Sequence, residues 1–230
     1  MDRARMPKSA KLNMKTTPNI VYASLVLAFV AGFCDAATFT GANQLFSAHV
    51  TGNFIVFAYD VVKGADEQTW IKLISFPVFV AAVIIAGWLA PKLKKDYRIL
   101  FIEGIILFTA GALAILFSYF NFMFALWTSV MPFTIVWSMG FQNAFGRLYS
   151  KSVYAQTTVM TGNVTQLTLD LTKILFKKNS DDASIKNVNK QIGIVAIFLM
   201  GCVVGALAAS NLGLWTVLFP GALLIILFYN

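Results

Sequence analysis

Two stretches of the chain carry the same polar signature in apolar surroundings. "SAHVTGNFIVFAYDVV" (47–62) and "TTVMTGNVTQLTLDLT" (157–172) each contain Thr-Gly-Asn, as Thr51, Gly52, Asn53 and as Thr161, Gly162, Asn163. In both, an aspartate follows the asparagine by seven positions, at Asp60 and Asp170. These residue types suit a helix start: Thr or Asn can cap exposed N–H groups, and Gly permits a tight bend or a close backbone approach. The aspartate seven positions on falls on the same helical face two turns later. A helix N-terminus carries free N–H groups and a partial positive charge. Two such termini facing one another could bind an anion or a carboxylate, or line a water-filled path. One copy alone reads as a helix-packing corner; the second copy, with its aspartate, favours a site.

A second pair of matching segments accompanies the first. "AGFCDA" (31–36) lines up with "MGFQNA" (139–144), setting Asp35 against Asn143. Asp35 lies late in an apolar run with no basic residue near it. An ionisable group there costs about 2.5–3.5 kcal/mol on insertion scales and marks a functional site by default. It could act as a proton or cation site, or fix a helix by hydrogen bonding. Gln142, beside Asn143, could hydrogen-bond across a helix interface. His49 is the chain's single histidine; it could sense protons or make a local hydrogen bond beside the turn. Asp60 and Asp170 could instead solvate the far ends of short helices. Glu103 is expected near the cytoplasmic interface, snorkelling or paired with Arg98 or Lys95.

The chemistry with no support is equally definite. The sequence has no H-E-x-x-H, G-x-S-x-G or P-loop motif and no cysteine–histidine cluster that could hold a metal. A non-enzymatic role follows, with no metal and no cofactor. Cys34 and Cys202 sit in apolar runs and read as buried free thiols.

The elements that must position these residues are membrane helices. Of 230 residues, 58% are hydrophobic and 12% charged, and the mean hydropathy is +0.73; a soluble domain is about 25% charged. Six apolar stretches approach the ~20 residues a span requires: 20–40, 70–91, 98–118, 123–145, 190–209 and 213–229. The first is read as an uncleaved span, because no small-residue cleavage site follows it. The apolar parts of the Thr-Gly-Asn segments, Phe54 to Val62 and Val164 to Phe176, are too short to cross and read as re-entrant or half helices. The linker 41–50, extended at about 3.3 Å per residue, could carry such a helix start to the midplane. Pro77, Pro132 and Pro220 should kink their spans.

Charge orients these elements. The net charge of +8 reflects cytoplasmic loops rather than nucleic-acid binding. Arg3, Arg5, Lys8, Lys11 and Lys15 place the N-terminus in the cytoplasm, Lys92 to Arg98 mark a second cytoplasmic loop, and Lys173 to Lys190 a third. All three fall on one side only with six full spans and two dipping segments. Each half then has three spans, so the second half is inverted. The expected fold is an all-α polytopic membrane protein: a basic tail (1–19), a first repeat (20–118) and a second repeat (119–230), an inverted 3+3 arrangement typical of transporters. Gly201 and Gly205 form a G-x-x-x-G face, for internal packing or a homo-oligomer.

"AGFCDAATF", "HVTGN" and "MGFQNAFGR…TTVMTGNVTQLTLDL" resemble the YoaK-like family of bacterial membrane proteins, catalogued as domain of unknown function 1275, over roughly residues 20–229. The resemblance implies a six-span inner-membrane protein, with both termini cytoplasmic on the charge reading. It implies no substrate. The layout is also similar to aquaporin-type channels, where half-helices meet from opposite faces, although their Asn-Pro-Ala motif is absent. The expected function is a transporter or channel for a small solute or ion, with Asp35 available for proton coupling. Asp35, Thr51, Gly52, Asn53, Asn143, Thr161, Gly162 and Asn163 would line a central site. A different class, a non-transporting scaffold or sensor acting through a protein partner, is the alternative.

Overall fold

A chain this apolar must satisfy its backbone polar groups within each segment, because hydrocarbon offers no partner for them. Helices do this, and the computed structural model, which describes residues 20–120, 124–150, 157–176 and 182–229, contains helices and no strand among them. They are α1 (Ile20–Gly41), α2 (Gly52–Gly64), α3 (Glu67–Leu89), α4 (Arg98–Phe120), α5 (Phe124–Leu148), α6 (Met160–Phe176), α7 (Asp182–Leu212) and α8 (Leu218–Phe228). A 3-10 turn, Leu214–Val217, leads into α8. Four of these, α1, α3, α4 and α7, are long and apolar enough to cross a membrane, and the stretch Leu214–Phe228 forms a shorter apolar helix. The basic tail and Lys177 and Lys178 lie outside the described residues.

The surface agrees with this composition. Ile55, Val62, Ile84, Trp88, Leu175, Phe176, Leu199 and Ile226 are all exposed. Apolar patches on that scale mark a face meant for a non-aqueous neighbour. The chain is a membrane protein.

Glycines decide which helices touch. A Cβ on Gly32 of α1 would overlap the Phe198 carbonyl of α7, and a Cβ on Gly201 or Gly205 would overlap the carbonyls of Phe29 and Phe33. The two helices run parallel, backbone against backbone. The G-x-x-x-G face is therefore covered by α1 within one chain, the internal of the two expected uses. A Cβ on Gly140 of α5 would overlap the Ala82 side chain of α3 and come tight against the Phe79 carbonyl. Gly104 and Gly111 of α4 meet Gly221 and Leu218 of α8, in antiparallel order. A core of Leu27, Val30, Leu107, Ile135, Met139, Phe145 and Leu224 fills the space between α1, α4, α5 and α8.

Three expectations about the elements change. Helix α7 begins at Asp182 rather than near 190, because "DASIKNVNK" is polar yet helical, and hydropathy does not register such a turn. Pro220 falls in the first turn of α8, where its missing N–H has no intrahelical partner to lose; it is a helix start there, whereas Pro77 and Pro132 lie inside α3 and α5. The segment after α1 is not extended. It folds through turns, with Ala42, Gln44 and Leu45 N–H groups bonded to Thr38, Phe39 and Ala42 carbonyls. Asn43 and Gln44 take left-handed φ values of 51° and 61°, uncommon outside glycine, and so turn the chain back along α1.

Candidate functional site

Asp35 is where the returning chain is caught. Its Oδ1 accepts the Ala48 N–H at 2.7 Å and the His49 N–H at 3.3 Å, and its Oδ2 is hydrogen-bonded by His49 Nδ1. The carboxylate is 4% exposed, so these donors are what stabilise it in that position; a buried charge needs a partner and hydrogen bonds. From Gly41 to Asp35 is about 9 Å along the helix axis at 1.5 Å per residue. The loop thus dips into the helical domain by that depth.

Asn53 finishes the turn. Its Oδ1 accepts the Phe46 N–H, and its Nδ2 donates to the Phe46 carbonyl and to Ser75 Oγ, each at 2.8 Å. Ser75 in turn donates to the Lys72 carbonyl of α3 at 2.6 Å. Asn53 is fully buried. One amide therefore closes the loop 46–53 and pins it to α3. Gly52 is needed here, since a side chain would press on the Phe46 ring.

Capping, however, is not the role of these residues. Thr51 is the residue before α2, but it makes no capping bond and is exposed. The N–H groups of Gly52, Asn53 and Phe54 donate to the carbonyls of His49, Val50 and Thr51. The residues before α2 already turn, so their carbonyls take the N–H groups that sequence reasoning left free for a ligand. The partial positive charge of the helix end remains; the open donors of residues 52–54 do not.

The second half uses the same device with different atoms. Asn143, half-buried on α5, accepts Thr158 Oγ1 at 2.8 Å and donates to the Met139 carbonyl at 3.0 Å. Gln142, buried beside it, donates from Nε2 to Thr157 Oγ1 at 3.0 Å and to the Leu27 carbonyl of α1 at 2.8 Å. Asn163 is 5% exposed and approaches Met160 Sδ at 3.6 Å. Thr161 and Gly162 lie in the first turn of α6 and are exposed. They do not join the other predicted residues, and a side chain on Gly162 would meet nothing.

The two aspartates that follow are paired, not merely solvated. Asp60 binds Lys72 of α3 at 2.6 Å, with the lysine 4% exposed. Asp170 is 1% exposed and receives Gln166 Nε2 at 2.9 Å and Lys173 Nζ at 2.8 Å. Ser75, Thr157 and Thr158 carried no signal in the sequence, nor did the pairing of Lys72: each is an ordinary polar residue, Lys72 and Ser75 within α3 and the two threonines in the loop before α6. Glu103 is neither snorkelling nor paired. It is fully buried in α4, and neither carboxylate oxygen has a hydrogen-bond partner among the described residues, while Lys95 and Arg98 are exposed. Burial wins because its side of α4 faces the interior: Ser138 Oγ of α5 donates to the Glu103 carbonyl at 3.3 Å.

Two grooves reach the residues that hold these loops, Asp35 and Asn143. One, of about 520 Å³, lies between α1, α7 and the first loop, lined by Asp35, Phe39, Phe46, His49, Phe198 and Cys202 among others. The other, of about 310 Å³, lies between α5 and α3, lined by Phe79, Val83, Gly87, Asn143, Ala144 and Arg147 among others. A polar hollow of about 210 Å³ holds Asp60, Lys63, Asp66 and Lys72 at the α2–α3 turn. No group of three or more metal-ligating side chains occurs among the described residues.

Among known proteins, the chain is similar to UPF0700 transmembrane protein YoaK of Bacillus subtilis (strain 168), at 22% identity over 192 residues, covering 81% of this chain and 82% of that protein. No solved structure matches. A family model matches residues 23–229, from the first turn of α1 to the end of α8, and so takes in both Thr-Gly-Asn loops with the residues that hold them. The chain belongs to the family described as "Protein of unknown function (DUF1275)".

Proposed function

We propose that the protein is a transporter for a small solute or ion, built as an inverted 3+3 repeat in the bacterial cytoplasmic membrane. The observation that carries this reading is the duplicated clasp: Asp35 holding residues 48 and 49, and Asn143 holding Thr158. Irregular backbone inside a membrane domain is tolerated only where protein buries it or it lines a cavity. In support, Asp35 lines one groove together with Phe46 and His49 of the first loop, and Asn143 lines another.

The packing supports an inverted repeat. Pairing α1–α4 with α5–α8 in order, the α1 contact with α7 has its counterpart in α5 with α3, and α2 with α3 has its counterpart in α6 with α7. The α4–α8 and α1–α5 contacts would lie on the pseudo-two-fold axis. The groove residues correspond in the same way, Asp35 with Asn143 and Ala36 with Ala144. Six spans follow if α5, whose 25 residues reach about 38 Å, and the stretch Leu214–Phe228 also cross. The parallel and antiparallel pairs are consistent with that count, which puts the start of α1 and the end of α8 on one side.

The substrate would sit against the clasps, where Asp35 and His49 supply charge and Phe39, Phe46 and Phe198 supply apolar walls. Asn53 and Asn163 would hold the two loops in place, with Thr51, Gly52, Thr161 and Gly162 at the adjoining helix starts. Single-cysteine substitutions at 45–55 and 157–165, probed with a membrane-impermeant thiol reagent from each side, test it. Reactivity from opposite sides for the two loops is expected. Entry of both loops from one side would end the inverted-repeat reading.

One observation favours the alternative of a scaffold or sensor: the space between α1, α4, α5 and α8 is filled with apolar side chains. An occluded transporter opens such a centre during its cycle, and a scaffold does not. Flux into proteoliposomes of the full chain separates the two.

A further inference from the structure

Sequence reasoning gave the protonatable role to Asp35, but the structure distributes hydrogen-bond partners differently. Asp35 is held by two backbone donors and the His49 ring. Those donors occupy both of its oxygens and make it a fixed clamp. Glu103 has no donor among the described residues, with both oxygens out of contact with solvent. An ionised carboxylate without partners in such a place is too expensive to persist, and the group neutralises instead.

The described surroundings offer nothing to hold the charge. From α1, the core cluster includes the Cys34 thiol, and Asp35, a like charge, is the next residue. From α5, Ser138 directs its hydroxyl to the Glu103 backbone rather than the carboxylate. From α8, Gly221 and Leu224 pack against Gly104 and bring no charge. Towards the basic end of α4 the bundle is closed by rings: Tyr97 stacks on Phe228 at 5.4 Å and meets Phe145 at 5.5 Å. Phe145 and Phe228 are buried.

We propose that Glu103, and not Asp35, is the proton-binding site of the membrane domain: a neutral carboxyl in this closed arrangement, which can release its proton only when the aromatic end of the bundle admits water. The proton's use in driving flux rests on the transporter reading above. Its presence on Glu103 does not. One residue would then clamp a loop, and a second, on a different helix, would carry the exchangeable proton.

The test is infrared spectroscopy of the full chain in lipid nanodiscs at about pH 7, far above the ordinary glutamate pKa of about 4.3. The expected result is a carbonyl band of a protonated carboxyl that Glu103→Gln removes and Glu103→Asp shifts. In the unaltered chain, a hydrophobic carbodiimide should also attach to Glu103, located by peptide mass mapping; this arm needs no variant to fold. Either signal at Glu103 supports the proposal. Absence of both, the spectrum being unchanged by both substitutions and the adduct confined to other carboxylates, overturns it. Neither readout depends on flux, so the loss of both would leave the transporter reading standing, and failed flux would leave the band in place.

Discussion

Asp35 and His49 lie on opposite sides of the turn after α1, and the His49 imidazole and backbone N–H both return to the same carboxylate. A helix residue and a loop residue thus define one closed unit, and the residue aligned with Asp35 in the second half, Asn143, closes its own loop through a hydroxyl.

Replacing Asp35 with Asn should therefore act on the fold first. The amide has one acceptor oxygen where the carboxylate offers two, so with the backbone donors kept its NH2 replaces the oxygen at the His49 ring. A loss of about 1–3 kcal/mol is expected, read as a lower Tm in detergent. His49→Ala should lower it less, because the backbone bonds of residues 48 and 49 remain. If the protein transports, flux should fall with both.

Asn53→Ala should open the loop. It leaves the Phe46 N–H and carbonyl without the amide that joins them, at about 1–3 kcal/mol for each buried group. Limited proteolysis should then cut within 42–51. Thr51→Ala, at an exposed residue with no capping bond, should stay within about 0.5 kcal/mol of the parent. Equal effects from the two substitutions would contradict the assignment.

Lys72 and Asp60 provide a double-mutant test. Lys72→Met leaves the partly buried Asp60 without its ion, and Asp60→Asn leaves a buried lysine. The double variant should recover part of the combined loss, a coupling of about 0.5–3 kcal/mol, measured by chemical denaturation in detergent. Simple additivity would mean the pair is not formed.

The glycines separate sharply. Gly201→Leu or Gly32→Ala puts atoms where a carbonyl oxygen of the partner helix stands, and monodisperse protein should be lost on size exclusion. Gly162→Ala and Gly87→Ala meet nothing and should leave the elution profile unchanged.

Asp66 gives a pH dependence outside the membrane spans. Hydrogen bonds from the Thr69 side chain and backbone hold its carboxyl below the usual range, in a capping box that starts α3. A group depressed on folding stabilises above its unfolded pKa and loses that contribution as pH falls through the folded value. The Tm difference between the parent and Asp66→Ala should thus be full at neutral pH and shrink below about pH 3.9. A difference independent of pH would remove the charged cap from the account.

Much of this was legible in the sequence, for identifiable reasons. Long apolar runs and clustered lysines reveal α1, α3 and α4, because hydropathy responds to the side chains that face lipid. Duplicated motifs reveal the two loops, because a repeat needs no geometry to be seen. The partners of the motif residues were not legible. Asn53 bonds Ser75, and Gln142 bonds the Leu27 carbonyl, across distances in sequence that only packing closes. Capping by Thr51 failed because local preference cannot show that the preceding carbonyls are already in place. Glu103 was misplaced because its distance from Arg98 says nothing about which side of α4 it occupies.

The glycine contacts bear on how such a molecule could move. Where a carbonyl of one helix rests in the hollow left by a missing side chain on another, sliding by even part of a residue brings neighbouring side chains into collision. The α1–α7, α3–α5 and α4–α8 pairs would then travel as three stiff struts, each keeping its own register. Any shape change would be confined to the seams between struts, and the two looped tips, each tied to one strut and reaching toward another, would act as the latches across those seams.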